Sequence, residues 1–206
     1  MRLPEYSYPP RGTRGWCDIG LLMRVATLSE MLEEVVRLGE AAGMEAHARE
    51  LRGELEGRLA AVRAAVAEAP APRVVALERF EPPRAAGYWI PEMISIAGGV
   101  DVAGDPGLEP PEVAWGALAS LAPEVVVVMP DGSLADARAQ AMEHWERLAA
   151  LGAGRVFAVD ADAGFADPGP RLVDGVELLA HLLHPRLVPP PGRPGFEPLR
   201  APVPRR

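Results

Sequence analysis

The sequence has no lysine, no asparagine, one glutamine (Gln140) and one cysteine (Cys17). A lone cysteine can form no internal disulfide and no cysteine-based zinc cluster. Every basic side chain is therefore an arginine or a histidine, a bias that fits GC-rich coding better than selection at individual sites. Basic charge is also in deficit: 21 Lys+Arg stand against 29 Asp+Glu, for a net charge of −8, which leaves no electrostatic footprint for a nucleic-acid backbone. No apolar run reaches the roughly 18 residues that a membrane-crossing helix requires, so no transmembrane segment is expected. Residues 1–10 carry no basic stretch followed by an apolar one, and no secretion signal is expected in them.

The chain is otherwise well supplied for a folded core, with 49% hydrophobic residues over 206 positions. Its 23 prolines and 21 glycines would argue for disorder if spread evenly. Most prolines instead cluster between long apolar-periodic runs, where they punctuate elements.

Residues 1–26 show no sustained period and read as an irregular lead-in. From Thr27 the apolar residues Leu28, Met31, Leu32, Val35, Val36 and Leu38 recur at helical spacing, with Thr27 and Glu30 placed as a capping box. This predicts a helix over 28–41, ended by Gly43. A second helix is predicted over 45–67, with Leu51, Leu55, Leu59, Val62 and Val66 on one stripe; at about 1.5 Å per residue it spans roughly 35 Å. After Ala69-Pro70-Ala71-Pro72 the pattern alternates between strand and helix. Strands are expected at 73–77, 124–129 and 155–159, with a short one at 100–102, and helices at 91–97, 111–121, 134–151 and 172–183. Right-handed crossovers make this a doubly wound, three-layer α/β unit with a mainly parallel sheet. The chain thus divides into a lead-in (1–26), a helical pair (27–69), an α/β lobe (70–185) and a proline-rich tail (186–206) expected to be extended.

In such folds ligands bind outside the carboxyl ends of the strands, here residues 77–81, 130–133 and 160–165. The familiar catalytic patterns are missing: there is no phosphate-binding glycine loop, no dinucleotide fingerprint and no nucleophile elbow. Glu78 and Glu81 could supply an acid/base pair, but no histidine, serine or cysteine at a second strand end completes it, and no enzyme activity is expected. His181 and His184 have a spacing that can place two metal ligands on one helix face, yet a third ligand is absent nearby and Pro185 marks a helix end that attracts cations. His47 and His144 read as solvated surface. Phe80, Tyr88, Trp89 and Phe165 fall after strands. They can form an aromatic wall for a large flat ligand, or fold back onto the core.

Four passages resemble one known family. They are Gly87-Tyr88-Trp89-Ile90-Pro91-Glu92 leading into Ala97-Gly98-Gly99; Val113-Ala114-Trp115 followed by Pro123-Glu124 and valines; Phe165 through Asp167-Pro168-Gly169-Pro170-Arg171 to Leu179, ending at His184-Pro185; and Gly39-Glu40-Ala41-Ala42-Gly43. Together they are similar to the cobalamin-binding, helical-backbone substrate-binding proteins that serve ABC importers, and the likeness runs from about Thr27 to Pro185. The resemblance implies a class III periplasmic-binding-protein-like architecture of two α/β lobes joined by a long helix, with ligand in the cleft between them. Residues 45–67 would be the connector, and the lobe after it would be the C-terminal one. It implies a non-catalytic protein that needs no cofactor, with Tyr88, Trp89, Asp131, Gly132 and Phe165 facing a corrinoid ligand, and an ABC permease as partner. Where the family carries a docking glutamate after its tryptophan, this chain has Gly116, and Glu112 one turn earlier is the substitute.

The departures are specific. Pro130-Asp131-Gly132 replaces the family's Pro-Cys-Gly, Ala166-Asp167 replaces Ser-Arg, and only about 26 residues precede the first helix, where the family has its other lobe. An alternative role follows from that last difference: an interaction protein that forms homo-oligomers through the surface the other lobe would cover. The family works outside the cytoplasmic membrane; the compartment of this chain is left open.

Overall fold

A computed structural model describes residues 25–192 and 195–201. Most of the lead-in, Cys17 included, and the last five residues lie outside the described residues.

Helix α1 (Leu28–Ala41) begins with the expected capping box: Thr27 Oγ1 accepts from the Glu30 N–H at 3.1 Å, and Glu30 Oε2 accepts from the Thr27 N–H at 3.2 Å. Gly43, at φ +70°, turns the chain into α2 (Glu45–Val66), about 33 Å long at the standard helical rise. The two helices form a hairpin so close that a Cβ on Gly39 would lie 2.2 Å from that of Ala48. The hairpin meets the rest of the chain unevenly. Leu28, Met31 and Leu32 of α1 and Leu55, Leu59, Val62 and Val66 of α2 are buried, whereas Leu38 and Met44 near the hairpin tip are about half exposed.

The sheet follows. Its elements are β1 (Arg73–Phe80), β2 (Pro83–Ala85), α3 (Ile90–Ile96), β3 (Val100–Asp101), α4 (Trp115–Ser120), β4 (Val125–Val128), α5 (Leu134–Glu143), α6 (Trp145–Ala150), β5 (Arg155–Val159), a 3-10 turn (Ala161–Ala163), α7 (Leu172–Leu183) and β6 (Phe196–Leu199). The strands order as β2-β1-β4-β5-β6, with β3 also paired to β1. β3, β1, β4 and β5 run parallel; β2 and β6 are antiparallel. The chain leaves β1 toward β3 and returns to β4 on the other side, so the winding reverses between the carboxyl ends of β1 and β4.

Strand alternation sorts the valines onto two cores. Val74, Ala76, Val125, Val127 and Val159 face α1, α2, α3 and α7, while Val75, Leu77, Val126, Val128, Val156 and Ala158 face α4, α5 and α6. All four residues of β4 are fully buried, as expected for a central parallel strand covered on both faces. α7 is apolar on most of its surface because it is wedged between α2, α3 and the sheet. Arg58 of α2 ties it down, with Nε and Nη2 on the Glu177 carboxylate at 2.8 and 2.7 Å and Nη2 on Asp174 Oδ1 at 2.6 Å.

The structure departs from the sequence expectation in four places. The 134–151 run is two helices, because His144 (φ −102°, ψ 18°) leaves the helical region and stacks on Phe80 at 4.9 Å between ring centres; it is a half-buried packing group, not a solvated one. The helix expected from Pro111 starts only at Trp115, since the segment before it bridges to β2 through Arg84 and Glu112. The first strand continues to Phe80 and folds back as β2. Finally, the proline-rich tail contributes β6 to the sheet edge, with Leu199 in the core.

Candidate functional site

The strand ends converge where the winding reverses, the usual location of ligands in open α/β sheets. From β1 comes Glu78, whose Oε1 lies 2.9 Å from Arg84 Nε of β2, both side chains being largely buried. Arg84 Nε also donates to the Pro110 carbonyl at 3.2 Å. From β4 come Asp131 and Gly132, and from β5 the turn containing Asp162. Asp131 is exposed as a residue, but its carboxyl is crowded at the mouth beside Asp162: partial burial raises its pKa first, the Asp162 carboxylate adds to this, and the Arg84 guanidinium opposes both. Gly132, at φ +113°, permits the turn into α5; a Cβ there would lie 2.9 Å from Asp136 Oδ2. That oxygen is not free to yield, because it accepts from both the N–H and the hydroxyl of Ser133 at the helix start.

The predicted aromatic set is buried. Tyr88 takes the left-handed backbone conformation (φ 51°), which is costly for a tyrosine. Two main-chain bonds hold it there: its N–H donates to Leu108 O at 2.7 Å, and its carbonyl accepts from Gly107 N at 2.9 Å. Its ring stacks on Trp89 at 6.0 Å. Trp89 and Phe165 are core residues, 1% and 0% exposed, with Trp89 Nε1 donating to the Phe165 carbonyl at 2.9 Å. Tyr88 is buried as well, at 8% exposed in the same core, so none of the three aromatics offers an open ring and the solvent-facing part of the expected set is Asp131 and Gly132. Arg84 and Asp162 join these two and were not picked out as site residues from sequence. The signal for Arg84 was the Glu81-Pro82-Pro83 turn, which returns the chain alongside β1, whereas Asp162 lies within the 160–165 strand end expected on the ligand side.

Glu112 is exposed and paired with Arg79 Nη2, while Glu81 pairs with Arg147, whose guanidinium lies 5.9 Å over the Trp115 ring. Both acids are thus neutralised within the chain. The two helix-end histidines diverge: His181 Nδ1 contacts Val188 O at 2.9 Å and His184 Nε2 contacts Gly98 O at 3.1 Å. Among the described residues no group of three or more His, Cys, Asp or Glu is arranged to hold a metal ion. Among the same residues, no helix is long and apolar enough to cross a membrane.

Residues 8–163 match the family model described as periplasmic binding protein. The chain belongs to the periplasmic binding protein family. A search of curated proteins finds no match. Solved structures share the fold. An ABC transporter substrate-binding protein from Listeria monocytogenes EGD-e aligns at a TM-score of 0.68 with 19% identity, over 78% of this chain and 66% of its own. The periplasmic vitamin B12 binding protein BtuF of Vibrio cholerae aligns at 0.63 with 22% identity, over 78% and 63%. A periplasmic heme binding protein from Pseudomonas aeruginosa aligns at 0.63 with 24% identity, over 85% and 63%. The chain therefore spans under two thirds of the length of these relatives.

Proposed function

We propose that this chain is a non-catalytic substrate-binding component of an ABC importer, and that it presents the carboxyl ends of β1, β4 and β5 to a corrinoid ligand. The observation that carries this reading is the family match over residues 8–163, taken with the reversal of strand winding that gathers Asp131, Gly132, Arg84 and Asp162 at one open mouth. The motif series around Tyr88 and Phe165 supports the corrinoid in particular. Tyr88 holds a strained backbone in the loop that Trp89 anchors to Phe165, a conformation that persists where the surrounding structure is maintained. Trp89 and Phe165 serve the ligand by fixing the loops that carry Tyr88 and the 160–165 turn. The partner on the membrane side is an ABC permease, and Glu112 is available to it only after exchange out of its pair with Arg79.

The test is a calorimetric titration of the chain with cyanocobalamin, hemin and a ferric hydroxamate in parallel. Saturable binding of cyanocobalamin, tighter than that of the other two and weakened by Asp131→Arg, is the expected outcome. Saturation by hemin or the hydroxamate instead would keep the family role and replace the ligand. No saturation by any of them would remove the binding function from this chain.

A further inference from the structure

At the strand-end mouth the positive groups are already met by acids of the chain. The segments leaving β4 and β5 carry Asp131, Asp136, Asp160 and Asp162, and neither 129–137 nor 156–170 contains a basic residue. Arg84 is the cation whose charge is felt at Asp131. Its own charge is balanced nearby: Nε lies 2.9 Å from Glu78 Oε1 and donates to the Pro110 carbonyl at 3.2 Å, and the side chain is only 22% exposed. Arg79 of β1 and Arg147 of α6 are likewise paired, with Glu112 and with Glu81 just after β1.

The backbone donors are engaged in the same way. In an open α/β sheet, the helix that follows a central strand offers its first N–H groups to anions. Here the start of α5 is closed by a carboxylate of the chain itself: Asp136 Oδ2 accepts from the Ser133 N–H at 2.9 Å and from its hydroxyl at 2.7 Å. Those bonds hold the Asp136 carboxyl below its ordinary pKa, so it stays charged. The same carboxylate fills the space beside the Gly132 turn, where an added Cβ would meet it at 2.9 Å. After β5 the pattern repeats, with Asp160 Oδ1 accepting from the Asp162 N–H at 3.1 Å. Asp131 registers the result: burial raises its pKa first, and the Asp162 carboxylate raises it further. A ligand carboxylate brought to this point meets the same repulsion.

We propose that the mouth is a charge filter, in which Asp131 and Asp162 reject anionic rings and accept a macrocycle edged with uncharged amides. Amide N–H groups donate to the two exposed carboxylates, whereas a ring edged with carboxylates sets like charges together, the nearby guanidinium and the helix start being already occupied. This selectivity presupposes that the strand ends are the ligand mouth, and adds to that role which ring edge is admitted.

The experiment is a calorimetric titration of the intact chain, near neutral pH, with dicyanocobinamide, whose corrin edge carries amides, and with dicyanocobyrinic acid, the same ring carrying carboxylates. It is run at about 0.01 M and about 1 M sodium chloride, between which the screening length falls from about 30 Å to about 3 Å. At low salt the amide compound is expected to bind about tenfold or more tightly than the acid, and at high salt the ratio should fall to about threefold or less. Asp131→Asn combined with Asp162→Asn, both at exposed positions, should narrow the low-salt ratio by at least about threefold through tighter binding of the acid. Equal or tighter binding of the acid by the unsubstituted chain at low salt, or a ratio unmoved by salt or by the paired substitution, would overturn the filter and leave the mouth as a corrin site. Binding of neither compound would remove the mouth itself as a corrin site, and the filter with it.

Discussion

Trp89 Nε1 donates to the main-chain carbonyl of Phe165 at 2.9 Å, with both rings inside the core. This bond spans the end of β4 and joins the loop that carries Tyr88 to the turn that follows β5. The aromatic residues that sequence places at the mouth thus brace it from beneath.

Trp89→Phe keeps most of the ring and strands a buried carbonyl, for an expected loss of about 1–3 kcal/mol. Trp89→Ala also leaves a cavity, and a loss of about 3–5 kcal/mol is expected. Urea unfolding followed by far-ultraviolet circular dichroism measures both. A Trp89→Ala protein as stable as the parent would mean that the ring is not packed as described.

Asp101 gives stability a pH dependence. Its Oδ1 accepts from the N–H groups of Ala103 and Gly104 at 2.9 Å each, but Oδ2 is buried with no hydrogen-bond partner. Burial raises its pKa from 3.8 to about 6, the two backbone bonds oppose the rise, and Asp105 adds to it. The folded state therefore holds this proton more tightly than the unfolded one. Stability from this group is complete below about pH 4 and is lost as pH rises to about 6, by an amount on the order of 3 kcal/mol. Asp101→Asn cannot ionise, so the difference in urea midpoint between it and the parent should change across that window and be flat above it. A constant difference from pH 4 to pH 7 would contradict the assignment.

Two helical glycines should respond in opposite directions to alanine. Gly57, inside α2, has nothing within 4 Å of an added Cβ, and Gly57→Ala should stabilise by about 0.5–1 kcal/mol through helix propensity. At Gly175 in α7 the added Cβ would fall 2.2 Å from Gly164 O, which is backbone, and 2.6 Å from Met93 Cε. There the steric cost outweighs propensity, and Gly175→Ala should destabilise by about 1–3 kcal/mol. Thermal melts of the two variants check the pair of signs.

Removal of residues 195–206 would uncover the edge of β5, along which Phe196–Leu199 is hydrogen-bonded, and would expose Val156 and Phe157. An uncovered parallel-sheet edge pairs with other chains. Light scattering should show association of the shortened chain under conditions where the parent stays dispersed.

Much of this architecture was legible because local signals and tertiary packing agree. The Thr27 capping box, the four-valine strand and Pro185 set the bounds of α1, β4 and α7, which match the sequence expectation to within a residue or two. Two misses have a common cause. β2 begins at Pro83 and β6 contains Pro198, and proline suggested loop; both are edge strands, where a missing N–H need not break the ladder. Missing β2 also concealed Arg84 as the partner of Glu78. The break at His144 had no glycine or proline to announce it and arises from stacking on Phe80. At the mouth, Asp131 and Gly132 could be placed from the end of the valine strand. The inward turn of Trp89 and Phe165 could not, because an aromatic residue after a strand packs in or out according to contacts that only the fold supplies.

The most direct test is an amide NMR map of cyanocobalamin titrated into the isolated chain. The expected result is saturable shifts confined to residues 84–89, 131–133 and 160–166. Absence of saturable shifts, or shifts centred away from those three strand ends, would contradict a corrinoid site on this lobe.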